Sequence, residues 1–189
     1  MNWNYRAFLH KQRSLYIFMT MNTLRLENIN LHAPYRVMQD PERHNNFYFV
    51  SDSGARFDID FAENDSIIPS GAYEFGITNR RHERSPLDQK LRLTIFAIVE
   101  EFFEVNGNEA MLYLADTGDR KQAFRNRLFV RWFNLYEHRD KFIIETAEGK
   151  MDGQMNFLAI ISRKDNPMLS IVLEEFNETV SFLFDPQEI

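Results

Sequence analysis

The segment "NNFYFVSDSGARFDIDFAEND" (residues 45–65) constrains the fold more than any other stretch. Phe57, Ile59 and Phe61 alternate with Arg56, Asp58 and Asp60, the two-residue period of a strand with one buried and one wet face. Phe47, Tyr48, Phe49 and Val50 form the preceding strand by aromatic and β-branched content. Asp52-Ser53-Gly54 joins them as a turn, with glycine free to take positive φ. A chain that opens its core with such a hairpin commits itself to an antiparallel sheet.

The remaining elements follow from the same patterning. "PYRVM" (34–38) is a short strand, and "AYEFGITN" (72–79) is another with Tyr73, Phe75 and Ile77 on one side. "SPLDQKLRLTIFAIVEEFFEVNG" is a helix: Ser85 is the N-cap, Pro86 takes the first helical position, Asp88 follows three residues after the cap, and Gly107 ends it. Leu91, Ile95, Ile98 and Phe102 make its apolar stripe. "EAMLYLAD" (109–116) is apolar throughout, as a strand buried on both faces would be. A helix is expected from about Asp119 to His138. "KFIIETAE" (141–148) and "QMNFLAIISR" (154–163) are an antiparallel pair, and a last helix lies between Pro167 and Pro186. Strand hairpins with interspersed helices predict an α+β domain, a mostly antiparallel sheet with about three helices packed on one face. No Gly/Ser or Pro linker divides the chain, so residues 31–189 are expected to form one domain, with residues 1–30 as an extension outside it.

Composition excludes several chemistries. No cysteine occurs among the 189 residues, which removes disulfides, thiolate metal sites and cysteine nucleophiles. The five histidines are scattered, with no His-x-x-x-His or His-Glu-x-x-His, so neither a metal centre nor a cofactor is expected. There is no Gly-x-Ser-x-Gly, Gly-x-Gly-x-x-Gly or Walker spacing, and whether the chain is an enzyme is left open. A net charge of −6 argues against dedicated nucleic-acid binding. No run reaches the roughly 18 apolar residues that span a bilayer, so no membrane partner and a cytoplasmic location are expected. Eighteen phenylalanines mean a bulky core, with rings to spare for a surface contact.

Candidate sites gather on "LADTGDRKQAFRNRLFVRWF" (114–133). Thr117, Gly118 and Asp119 form a capped turn at a helix N-terminus, beside Arg120 and Lys121, where an anion would be held. Capping alone accounts for the same residues. Arg125 falls among the apolar positions Phe124, Leu128, Phe129, Trp132 and Phe133. There it needs a carboxylate, with Asp116, Glu100 and Glu101 as first partners, or serves an anion. Arg127, Arg131 and His138 line a basic contact strip with Arg120 and Asn134, on a helix otherwise expected to be nearly submerged. Asp58, Asp60 and Glu74 suggest a cation site, although a wet hairpin face gives the same alternation.

"PYRV", "NNFYFVSDSG", "AYEFGITN", "SPLDQK", "EEFF" and above all "DTGDRKQAFRNRLFVRWF" together resemble a family of small bacterial proteins, found mainly in Bacteroidetes, to which no activity is assigned. The resemblance covers Pro34 to Pro186. It implies a free-standing bacterial domain and carries no catalytic residue across. The family pattern has a glycine where this chain has Arg120, a departure that weakens a phosphate-cradling loop. The leading expectation is a binding or protein-interaction module, either forming homo-oligomers or taking a protein partner. The alternatives are an enzyme or phosphate/nucleotide-ligand protein using residues 116–125, and nucleic-acid binding through the Arg strip.

Overall fold

The computed structural model describes residues 21–79, 89–115, 122–151 and 154–184. The elements, in order, are α1 (Leu26–His32), β1 (Met38–Gln39), β2 (Asn46–Val50), β3 (Arg56–Asn64), β4 (Ala72–Asn79), α2 (Gln89–Val105) and β5 (Ala110–Leu114). They continue with α3 (Gln122–Asn134), a 3₁₀ turn (Arg139–Lys141), β6 (Phe142–Met151), β7 (Gln154–Arg163) and α4 (Leu169–Phe184). The seven strands form one sheet in the order β1-β2-β3-β4-β5-β7-β6. Every pairing is antiparallel except β4 with β5, and the chain between those two carries α2, the crossover that parallel neighbours require. This is the α+β architecture that the patterning predicts.

The hairpin forms as read. Phe49 pairs with Phe57 and Phe47 with Ile59, and Gly54 takes φ 85° in the turn. Phe47, Phe49, Phe57, Ile59 and Phe61 all face the same side of the sheet and are buried. Onto that side α2 lays Leu91, Ile95, Ile98 and Phe102. The two apolar faces meet through rings: Phe102 stacks on Phe61 at 4.8 Å with 2° between the planes, and lies edge-on to Tyr73 and Phe103.

Two expectations change. Helices cover both faces of the sheet, not one. On β5, Met111 and Tyr113 face α2 and α3, while Ala110 and Leu112 face Val172 and Phe176 of α4. The cause is compositional. Arg56, Asp58 and Asp60 let the outer half of the sheet keep a wet second face. The β5 and β7 segments offer apolar side chains to both sides and need a second cover. The second change concerns residues 21–30, expected in the extension. Met21, Leu24 and Ile29 are buried in the main core. Arg25 grips the buried Glu101 of α2 with its backbone N–H (3.0 Å) and its Nε (2.7 Å). Asn22 Nδ2 donates to the Val105 carbonyl (2.8 Å), satisfying an acceptor at the end of α2 that has no partner inside the helix. Residues 1–20 lie outside the described residues, as do the expected helix start at Ser85, Pro86 and Asp88 and the stop at Pro186.

Two outcomes are expected. Phe102→Ala removes the ring shared by Phe61, Tyr73 and Phe103, and should cost about 3–5 kcal/mol of unfolding free energy in urea. Tyr73 is pushed up to about 12 by burial, then by the charges of Glu109 and Glu63. Since the unfolded tyrosine ionises near about 10, the native state holds the proton more tightly; this contribution is complete below that pH and disappears as pH rises to about 12. Tyr73→Phe should flatten that alkaline fall in denaturation curves recorded across the window.

Candidate functional site

Residues 117–121, which carry Thr117, Gly118, Asp119, Arg120 and Lys121, lie outside the described residues, as does Asp116. The helix that follows them is described from Gln122. It ends at Asn134, short of the expected His138, where Tyr136 N–H switches to the Phe133 carbonyl and tightens the last turn.

Among the described residues of α3 none is fully buried, so the expectation of a nearly submerged helix is corrected. Its inner face is half-buried: Phe129 stacks on Tyr113 of β5 at 4.0 Å, and Trp132 and Phe133 pack against the main core. Its outer face is exposed along Arg127, Arg131 and Asn134. Phe124 belongs to that outer strip, 50% exposed, and not to the apolar face. The arithmetic accounts for it. At about 100° per residue, Phe124 and Arg131, seven positions apart, differ by only about 20°. Leu135, 54% exposed, continues the line because its N–H still bonds the Arg131 carbonyl. His138 is exposed beyond the helix end, its ring edge-on to Tyr136. The outer surface is therefore a strip with two apolar side chains flanking two guanidinium groups.

Arg125 is partly buried and engaged in an interaction. Two of its expected partners serve other groups. Glu101 accepts from Arg25, and Glu100 from Tyr136. Gln122 Oε1 and Asn126 Oδ1 are buried and accept no hydrogen bond from the described residues.

Beneath the C-terminal half of α3 lies a cavity of about 60 Å³, open to solvent on one side. Phe96 and Glu100 of α2 wall it, with Phe129, Trp132 and Phe133 of α3 and then Tyr136. The Tyr136 hydroxyl donates to Glu100 Oε1 at 2.6 Å. Burial, the bond to Glu100 and the charges of Glu100, Glu137 and Asp140 keep that hydroxyl protonated far above the ordinary tyrosine range. Nothing around Tyr136 in the sequence signals this role. Its partner lies 36 positions away on another helix, and no local spacing signals that pairing.

The acidic hairpin face is tied down by other contacts. Arg56 bonds Asp58 (2.6 Å) and lies 3.9 Å over the Tyr48 ring. The Asp60 carboxylate lies against Gly76, where a Cβ would fall 2.5 Å from Oδ1. Glu74 accepts from Asn64 (3.1 Å). Among the described residues no three His, Asp or Glu side chains come together as a metal site, and no helix is long and apolar enough to cross a membrane.

Residues 87–178, from the start of α2 into α4, match the model of a family of unknown function (DUF6169). No curated protein matches the chain. The matched segment contains the α2 and α3 walls of the cavity and the whole exposed strip of α3, but not Phe75 and Ile77 of β4, which also line the cavity.

Tyr136→Phe should leave Glu100 without its donor and cost about 1–3 kcal/mol by thermal or urea unfolding. In alkaline absorbance titration, the same variant should lose a tyrosine from the latest-ionising fraction, not from the ordinary one.

Proposed function

We propose that the chain is a protein-interaction module that docks through the exposed strip of α3, and that a second copy of the chain supplies the surface it fits. The reading rests on one observation: two helices carry outward strips of opposite charge, each with an exposed ring. On α3 and just past its end these are Phe124, Arg127, Arg131 and Leu135; on α4 they are Glu174, Glu178 and Phe182, the last 83% exposed. Both strips advance about one side chain per turn. Laid antiparallel, Arg131 meets Glu174, Arg127 meets Glu178, and Phe124 meets Phe182.

The two strips occupy opposite faces of the sheet, since α3 packs on the Met111 and Tyr113 side and α4 on the Ala110 and Leu112 side. One copy therefore offers its α3 to the next copy's α4, a head-to-tail contact that continues until a rotation closes it. The magnitudes set its strength. Two exposed ion pairs contribute about 0.2–1 kcal/mol each, and covering the rings adds about 1.5–3 kcal/mol apiece. Against an association cost of at least about 4 kcal/mol, this is a weak, transient contact. Salt should weaken it, since about 1 M ionic strength cuts the screening length to about 3 Å and removes the ion-pair contribution.

Light scattering across a concentration series should give a mass that climbs beyond a dimer and falls as salt is raised. Arg127→Glu with Arg131→Glu should be monomeric, and so should Glu174→Arg with Glu178→Arg. Mixed together, the two variants should associate again, because each then presents the charge the other lacks. A wild-type chain that stays monomeric at every concentration, or a mixture that fails to associate, sinks the reading.

A further inference from the structure

We propose that the free edge of β6 receives an extended segment of a partner protein, which joins the sheet as a further strand and carries alternating basic and apolar side chains. The sheet ends at β1 on one side and at β6 on the other. An edge presents backbone N–H and C=O groups with no strand beside them, and folded proteins commonly blunt it. The β1 edge is blunted. Asn30 of α1 accepts the Val37 N–H through Oδ1 (2.7 Å) and donates to the Val37 carbonyl through Nδ2 (3.0 Å), so one side-chain amide stands where a neighbouring backbone would. β1 itself is only two residues long. β6 runs for ten residues, contains no proline and keeps an unbroken register against β7.

The register fixes which groups face outward. The Lys164 N–H donates to the Lys141 carbonyl (2.9 Å), which makes this a hydrogen-bonded pair, and such pairs recur at every second residue of an antiparallel ladder. Ile143, Glu145, Ala147, Gly149 and Met151 therefore bond β7. Ile144, Thr146, Glu148 and Lys150 aim both backbone groups away from it, and among the described residues nothing bonds them there. Donors and acceptors repeating at that spacing are matched by another extended backbone. Burial agrees with an open edge. No residue of β6 is fully buried, whereas six in a row are in β7.

Side chains select the occupant. Successive residues alternate between the faces of the sheet. Phe142 and Ile144 pack against the main core, so Thr146, Glu148 and Lys150 share their side. Ile143, Glu145, Ala147 and Met151 lie on the side of α4, where Asn177 donates to Glu145 (2.9 Å). Glu148 and Lys150 are exposed and make no ion pair among the described residues. A second copy fits this edge poorly. Two β6 strands would bring Glu145 and Glu148 of both together with one lysine from each, an acidic edge against an acidic edge. A foreign strand running antiparallel can answer each position: an acid opposite Lys150, a base opposite Glu148 and Glu145, and β-branched apolar residues opposite Ile144, Ile143 and Phe142.

The probe is a fluorescein-labelled synthetic peptide, Glu-Ser-Lys-Val-Thr-Lys-Val-Val-Val, which spans Lys150 back to Phe142 when laid antiparallel. Titrated with the full chain, its fluorescence anisotropy should saturate. Amide hydrogen exchange followed by NMR should then slow at Ile144, Thr146 and Glu148 and change little at Ile143, Glu145 and Ala147, whose N–H groups already bond β7. A peptide with its acidic and basic residues exchanged should bind about tenfold more weakly. Thr146→Pro deletes one outward N–H while keeping the ladder to β7, and should abolish binding. Should that variant not fold, the wild-type chain should fail to bind the probe N-methylated at the residues opposite Glu148, Thr146 and Ile144. No saturable binding of the first peptide would overturn the proposal. So would exchange that slows uniformly along β6, equal affinity for the charge-exchanged peptide, or full affinity with either the folded proline variant or the N-methylated probe.

Discussion

The contact between Phe102 and Phe61 is where the two halves of the molecule become one. Phe61 belongs to the hairpin and Phe102 to the crossover helix, and their rings lie parallel at 4.8 Å. Around this pair Tyr73, Phe75 and Phe103 close the layer. The geometry of β4, α2 and β5 depends on it, because α2 must cross over this face for β4 and β5 to run parallel. Large rings make such a layer strong and intolerant at once: each buries much surface, and none can shrink without leaving a void.

From that layer the sheet divides in character. Toward β1–β3 it needs cover on one side only, since its second face carries Arg56, Asp58 and Asp60. Toward β5 and β7 both faces are apolar, and six successive residues of β7, Phe157 to Ser162, are buried. α4 answers the second face with Val172 and Phe176, and α3 joins α2 on the first. α3 is the lighter of these covers. It seats Phe129 on Tyr113 and leaves Phe124 and Leu135 in water. It is held by one face, with a ring-walled cavity beneath and a charged strip above.

Much of this was readable before any coordinate. The hairpin at residues 46–64, the strand 72–79, the stripe Leu91–Ile95–Ile98–Phe102 and the strand 154–163 follow from alternation, helical spacing and turn residues. The exposure of Arg127 and Arg131 follows from their place on the helix. Phe124 was misassigned because residue type was weighed above angle: a ring seven positions from Arg131 shares its face whatever its hydrophobicity. The boundary near residue 30 was misplaced because Arg25 and Asn22 look like ordinary polar residues until Glu101 and Val105 are found beside them.

The sequence by itself determined what is local: which segments are strands and helices, which face of each is apolar, and that the sheet must be mostly antiparallel. Those properties depend on neighbours two, three or four positions away. The tertiary structure alone decided what joins distant segments: the second helical layer, the anchoring of residues 21–30 by Glu101, and the meeting of Glu100 with Tyr136. Such pairings are selected by the shape and polarity of the whole folded surface, and a carboxylate 36 positions from a phenol gives no sign of it along the chain.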